Sequence, residues 1–161
     1  MGLDTGPEDV SVLLASVIER SRFLAKSKTI NLKIDINRDP SVVQLDVDAA
    51  RITQVFANLV SNAVRYSPAG SDIEVTLDRR QRFTRFRVYN EGTGVNREEL
   101  KMVAHPYFRG TNTGNSPEPG SGIGLTLATA IVESHGGHMK LRSDPDEFFE
   151  VEVLLPNPNP D

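Results

Sequence analysis

Apolar residues recur along this chain with two different periods. Ile30, Leu32, Ile34 and Ile36 alternate with polar residues, the period of a half-buried strand, and predict a strand over 29–37. Val10, Leu13, Leu14, Val17, Ile18 and Leu24 fall at helical spacing instead, with Asp9 placed as a cap. A turn at Asn37-Arg38-Asp39-Pro40 and a short extended piece over 42–45 follow. Asp48 then opens a second helix of about 49–66, carrying Ile52, Val55, Phe56, Leu59, Val60 and Ala63 and ended by Pro68-Ala69-Gly70. Strands are predicted over 72–78 and 83–89, joined by the polar turn Arg79-Arg80-Gln81-Arg82. A third helix is predicted over 123–135, ended by Gly136-Gly137, and strands over 138–143 and 148–155 close the pattern. Residues 1–7 hold two glycines and a proline and read as a disordered start or a cloning remnant, and 157–161 as a frayed tail. One domain over 8–156 remains, with no repeat and no internal boundary.

The stretch between Asn90 and Gly122 breaks this rhythm. It is rich in glycine and proline, contains one short helical pattern over 98–103, and is too long for an ordinary connection. Strong periodic elements flank it on both sides, so it reads as a functional lid over 96–121, mobile without ligand, and not as a linker.

Composition narrows the class. The 161 residues suffice for one sizeable core, and 38% hydrophobic with 25% charged residues fits a globular protein. A net charge of −4 carries no nucleic-acid footprint. The absence of cysteine excludes disulfides and thiolate metal sites and suits a reducing cytoplasm. No apolar run approaches the ~20 residues of a membrane span, so any membrane tether is expected outside this chain.

Three short constellations carry candidate chemistry. Asn58 and Asn62 lie four residues apart and project from one helical face beside the apolar stripe. Two solvated asparagines would look the same, but asparagine is a mediocre helix former and two in an apolar helix centre need a reason. A carboxamide oxygen there would ligate a hard cation such as Mg²⁺. Arg65 and Tyr66 add a phosphate-pairing cation and an aromatic face at the same helix end. The second constellation, Asn90-Glu91-Gly92-Thr93-Gly94-Val95, follows directly on a strand, and its glycines allow close approach of a ligand to the backbone; a plain strand-exit turn would share this pattern. The third, Gly120-Ser121-Gly122-Ile123-Gly124-Leu125, opens a helix, where unpaired amides at the positive end of the dipole bind phosphate. A Gly/Pro/Asn loop precedes it instead of a strand, which argues against a dinucleotide fold. His105, His135 and His138 form no zinc-type cluster; His135 and His138 read as helix-end residues complementing the dipole.

The order of these segments resembles the ATP-binding domain of sensor histidine kinases, within the gyrase, Hsp90, histidine kinase and MutL ATPase superfamily. The resemblance covers about residues 8–156. Gln54 to Pro68, QVFANLVSNAVRYSP, looks like the family N box, and GSGIGLTLATAIVESHGG from Gly120 to Gly137 like its second glycine box and following helix. It implies an α/β (α+β) two-layer sandwich of the Bergerat type, a mixed sheet covered on one face by about three helices. It implies Mg·ATP bound between the 49–66 helix, the Asn90 turn and the lid. The γ-phosphoryl group would pass to a histidine on a separate dimerisation domain of the parent protein, with a response regulator downstream. The implied location is cytoplasmic, and the chain alone is expected to bind nucleotide with little activity.

Carried over residue by residue, Asn62 would ligate the metal and Asn58 would line the same site in a catalytic role. Arg65 stands where the family usually has lysine and would contact phosphate, while Tyr66 would pack on adenine. Asn90, Gly92, Gly94 and Val95 would shape the base pocket. Gly120, Gly122, Ile123, Gly124 and Leu125 would carry the lid past the phosphates. Arg109, in Tyr107-Phe108-Arg109, would reach the γ-phosphate and share the catalytic role. Three departures stand out. Asn90 replaces the aspartate that accepts the adenine amine; its amide oxygen still accepts that bond, and losing the charge costs roughly 1 kcal/mol. Ala104 and His105-Pro106 alter the lid motif. The domain bearing the phospho-accepting histidine is missing, and none of the three histidines matches an acceptor motif. Two other readings share the fold: a non-catalytic ATP-sensing or protein-binding module, and a serine kinase of the anti-sigma type.

Overall fold

The computed structural model describes residues 2–91, 122–144 and 147–159, with side chains in the second segment from Leu125 onward. Among these residues, seven strands and four helices run in the order β1 (Gly6–Asp9), α1 (Val10–Ser27), β2 (Asn31–Ile36), α2 (Pro40–Val43), β3 (Gln44–Val47), α3 (Ala49–Tyr66), β4 (Asp72–Arg80), β5 (Phe83–Glu91), α4 (Gly122–Ser134), β6 (His138–Asp144) and β7 (Phe148–Pro156). Strands β2-β4-β5-β7-β6 form one five-stranded sheet. Only the β2–β4 pair is parallel, so the sheet is mixed. The predicted short helix over 98–103 and the lid lie outside the described residues.

Alternation along β5 assigns the two faces. Thr84, Phe86, Val88 and Asn90 are buried, whereas Phe83, Arg85, Arg87 and Tyr89 are half-buried. The buried face joins Ile73, Val75 and Leu77 of β4 and Val151, Val153 and Leu155 of β7 under the helices. Phe56 of α3 meets Phe86 with ring centroids 4.6 Å apart, which sets α3 across the central strand. The opposite face is an ion-pair lattice: Arg85 joins Asp78 and Glu152, and Arg87 joins Glu74 and Glu150. Asp78, first, and then Glu152 stabilise the charged guanidinium of Arg85 and raise its pKa.

Four expectations change. Gly6 and Pro7 do not belong to a disordered start: they pair with Val47 and Asp46 in a separate two-stranded sheet, β1–β3. Proline is tolerated there because an edge strand leaves half its donors unused. The extended piece over 42–45 is instead one helical turn, α2, started by Asp39 and Pro40, and then a strand. Asn157 is anchored and not frayed, its Nδ2 donating to Ser41 O and Thr84 Oγ1. His138 begins β6 and packs edge-on against Phe83, so it does not complement a helix end.

Candidate functional site

Helix α3 forms where the pattern placed it because Asp48 accepts from Arg51 N and apolar residues line its inner face. The Asp4 and then the Arg51 backbone N–H hold the Asp48 carboxyl below its usual value. At the far end, Lys28 donates from Nζ to Val64 O and Arg65 O, both 2.9 Å away. That cation meets carbonyls left over by the helix end and fixes the turn bearing Arg65 and Tyr66. Sequence reasoning missed Lys28, because nothing local to 26–29 announces a partner 36 residues away.

A second long-range bond orients α4. His135, just after α4, accepts the Asp48 N–H at Nε2, 3.0 Å away, and its Nδ1 lies 2.8 Å from Ile131 O. The ring is therefore a wedge joining two helices, a more specific role than the dipole complement expected of it. The start of α3 thus touches the end of α4. Since α3 packs along α4, the two run antiparallel. At 1.5 Å per residue, Asn58 lies about 15 Å along α3 from Asp48, and Leu125 about 15 Å along α4 from His135. Asn58 therefore lies level with the first turn of α4, and Asn62, about 21 Å along α3, just beyond its start.

The sheet delivers Asn90 to the same end. From Phe56 over Phe86, α3 runs on to Tyr66, and the chain returns through Pro68 into β4, whose Ile73 pairs with Asn90. Asn90 faces the helices, 2% exposed, between Ile73 and Phe149 on the flanking strands. Asn62 is 9% exposed and Asn58 and Tyr66 are half-buried, so Asn62 is not a solvated surface residue. Its Oδ1 and the Nδ2 of Asn90 are enclosed without a hydrogen-bond partner among the described residues, as is Ser67 Oγ. Buried polar atoms are rarely left so, because desolvation without a bond is costly. At the same end, the first-turn amides of α4, Gly122 to Leu125, have no intrahelical acceptors.

An amide oxygen, an amide edge and helix-start amides without intrahelical acceptors are compatible with the groups expected of this site. Asn62 Oδ1 suits a hard cation, Asn90 a base edge, and the amides an anion. No cluster of three or more acidic, histidine or cysteine side chains suited to a metal occurs among the described residues. Gly92, Gly94, Val95, Arg109 and Gly120 lie outside the described residues.

Comparisons with known proteins identify the family and the fold. The family model described as "Histidine kinase-, DNA gyrase B-, and HSP90-like ATPase" matches residues 47–159. The chain is 29% identical over 148 residues to the sensor-like histidine kinase SenX3 of Mycobacterium tuberculosis, 92% of this chain and 35% of that protein. It is 31% identical over 156 residues to the sensor protein kinase PmrB of Pseudomonas aeruginosa, 96% of this chain and 31% of that protein. The chain thus spans about a third of the length of these relatives. Among solved structures, the catalytic domain of histidine kinase ThkA superposes with a TM-score of 0.79 at 23% identity, covering 96% of this chain and 97% of that one. The mycobacterial sensor histidine kinase MprB gives 0.76 at 22% identity, covering 94% and 97%. These likenesses bear out the two-layer fold, and the relatives' names do not favour the sensing-module or anti-sigma alternatives.

Proposed function

Since the chain belongs to the histidine kinase-, DNA gyrase B- and HSP90-like ATPase family, we propose that its ATP-binding site is the cluster of Asn58, Asn62, Asn90 and the start of α4, and that it serves a two-component sensor histidine kinase as catalytic domain. The observation that carries this reading is the Asn62 Oδ1, enclosed without a hydrogen-bond partner on a helix that packs against α4. Asn62 would hold Mg²⁺, and Asn58, one turn earlier on the same face, would line the metal and phosphate region. Arg65 would contact phosphate, Tyr66 would pack on the base, and the amides of Gly122 to Leu125 would receive the phosphate oxygens. Asn90 would read the base edge from the sheet. Mg²⁺, when bound, supplies neutralisation of the phosphate charge.

Phosphoryl transfer of this kind needs positioning and electrostatics more than a protein nucleophile, which agrees with a site made of amides. The γ-phosphoryl group would go to a histidine of the parent's dimerisation domain and then to a response regulator. Arg109, Gly92, Gly94, Val95 and Gly120 keep the roles that the resemblance implies. No helix among the described residues is long and apolar enough to cross a membrane. We place the domain on the cytoplasmic side, with any tether beyond this chain.

Calorimetric titration with ATP, with and without Mg²⁺, tests the assignment. The wild type is expected to bind ATP more tightly with the metal, and Asn62→Ala to lose that difference while remaining folded. An unchanged Mg²⁺ effect in folded Asn62→Ala would overturn it.

A further inference from the structure

Asn90 differs from the aspartate the family resemblance leads one to expect, and its surroundings make the difference chemical. The side chain is 2% exposed, and none of the hydrogen bonds between described residues uses it. Its cross-strand neighbours Ile73 and Phe149 are apolar and give the amide no preferred orientation. A carboxylate offers acceptors only, whereas a carboxamide offers an acceptor and a donor side by side. The terminal torsion of asparagine is broad and roughly two-fold, so a half-turn exchanges the two without changing the space filled.

Purine edges come in two complementary forms. A 6-aminopurine presents an N–H donor at position 6 beside the N1 acceptor. A 6-oxopurine presents an O6 acceptor beside an N1–H donor. In one orientation the Asn90 amide satisfies the first: Oδ1 accepts from the 6-amino group and Nδ2 donates to N1. In the other it satisfies the second: Nδ2 donates to O6 and Oδ1 accepts from N1–H. A carboxylate at this position would set its oxygen against O6 with no proton between them, an unpaired contact that a buried site penalises.

Resting on the nucleotide-site reading above, we propose that Asn90 is the residue that sets base specificity and that it opens the site to 6-oxopurine nucleoside triphosphates as well as ATP. The amide whose Nδ2 is enclosed without a hydrogen-bond partner is the group that would turn.

Inosine triphosphate is the direct probe, since it changes the 6-position and N1 and adds nothing at position 2. Competition of ATP and of inosine triphosphate against a fluorescent ATP analogue, on this chain with Mg²⁺, is expected to give dissociation constants within tenfold of each other. In Asn90→Asp the ratio of the two constants is expected to shift at least tenfold towards ATP. Wild-type discrimination against inosine triphosphate beyond tenfold overturns the proposal, whether or not the variant folds. A ratio unchanged in folded Asn90→Asp overturns the assignment to this residue. Failure of ATP itself to bind is a different outcome and removes the nucleotide site altogether.

Discussion

Asn62→Leu separates what this helix position does for the fold from what it does for a ligand. The Asn62 Oδ1 is enclosed without a hydrogen-bond partner, and the residue is 9% exposed. An unsatisfied buried polar group costs about 1–3 kcal/mol, and leucine of similar volume removes that cost. A gain near the middle of this range, about 2 kcal/mol, raises the melting temperature of a chain this long by roughly 4–8 °C. Leucine is also the better helix former, which contributes at most about 0.5 kcal/mol. Asn58→Leu, at a half-buried position of the same helix, measures that smaller part. With ligand the order reverses. ATP and Mg²⁺ at a hundred times the dissociation constant stabilise a binding protein by about 2.7 kcal/mol, roughly 5–11 °C here. Wild type is expected to show that shift and Asn62→Leu to show little of it. Thermal unfolding followed by circular dichroism, with and without Mg·ATP, reads both quantities. A destabilised apo variant, or one that keeps the full ligand shift, refutes the reasoning.

Three other outcomes follow from particular contacts. A Cβ on Gly137 would sit 2.1 Å from the backbone oxygen of Leu154, so Gly137→Ala should lose about 3 kcal/mol in urea unfolding. Gly70→Ala, with open space but φ of +81°, should lose only about 1 kcal/mol, and equal losses would count against the packing argument. The Asp48 carboxyl has a lowered folded-state pKa, so its contribution is present above the ordinary carboxylate value and is lost as pH falls through the folded value. Asp48→Asn should therefore flatten the acid limb of stability in urea midpoints taken from about pH 7 down to about pH 3; an unchanged slope would contradict this. Arg87→Leu leaves Glu150, 6% exposed, with Arg142 alone and should cost about 3 kcal/mol, whereas a neutral result would mean that solvent screens the pair.

The local elements were legible in the sequence because periodicity and caps are local properties. The alternation of Ile30 to Ile36, the apolar stripe of 49–66 and the caps Asp9 and Asp48 all reappear as β2, α3 and the two helix starts. The candidate site residues were picked out in the same way: Asn58, Asn62, Asn90 and the glycines before Leu125 are unusual for their places. What the pattern left undecided was everything that depends on a partner far along the chain. The strand over 6–9 is too short and too rich in glycine and proline to announce itself, and exists because Leu45 and Val47 offer it an edge. Lys28 belongs to the end of α3 and His135 to its start only because tertiary packing brings them there. Burial was decided at that level too. A sequence shows that Asn62 and Asn90 are polar; only the closing of α3 over β5 takes Asn62 Oδ1 and Asn90 Nδ2 out of water without a partner, and buried polar atoms left so mark the two asparagines as a candidate binding site.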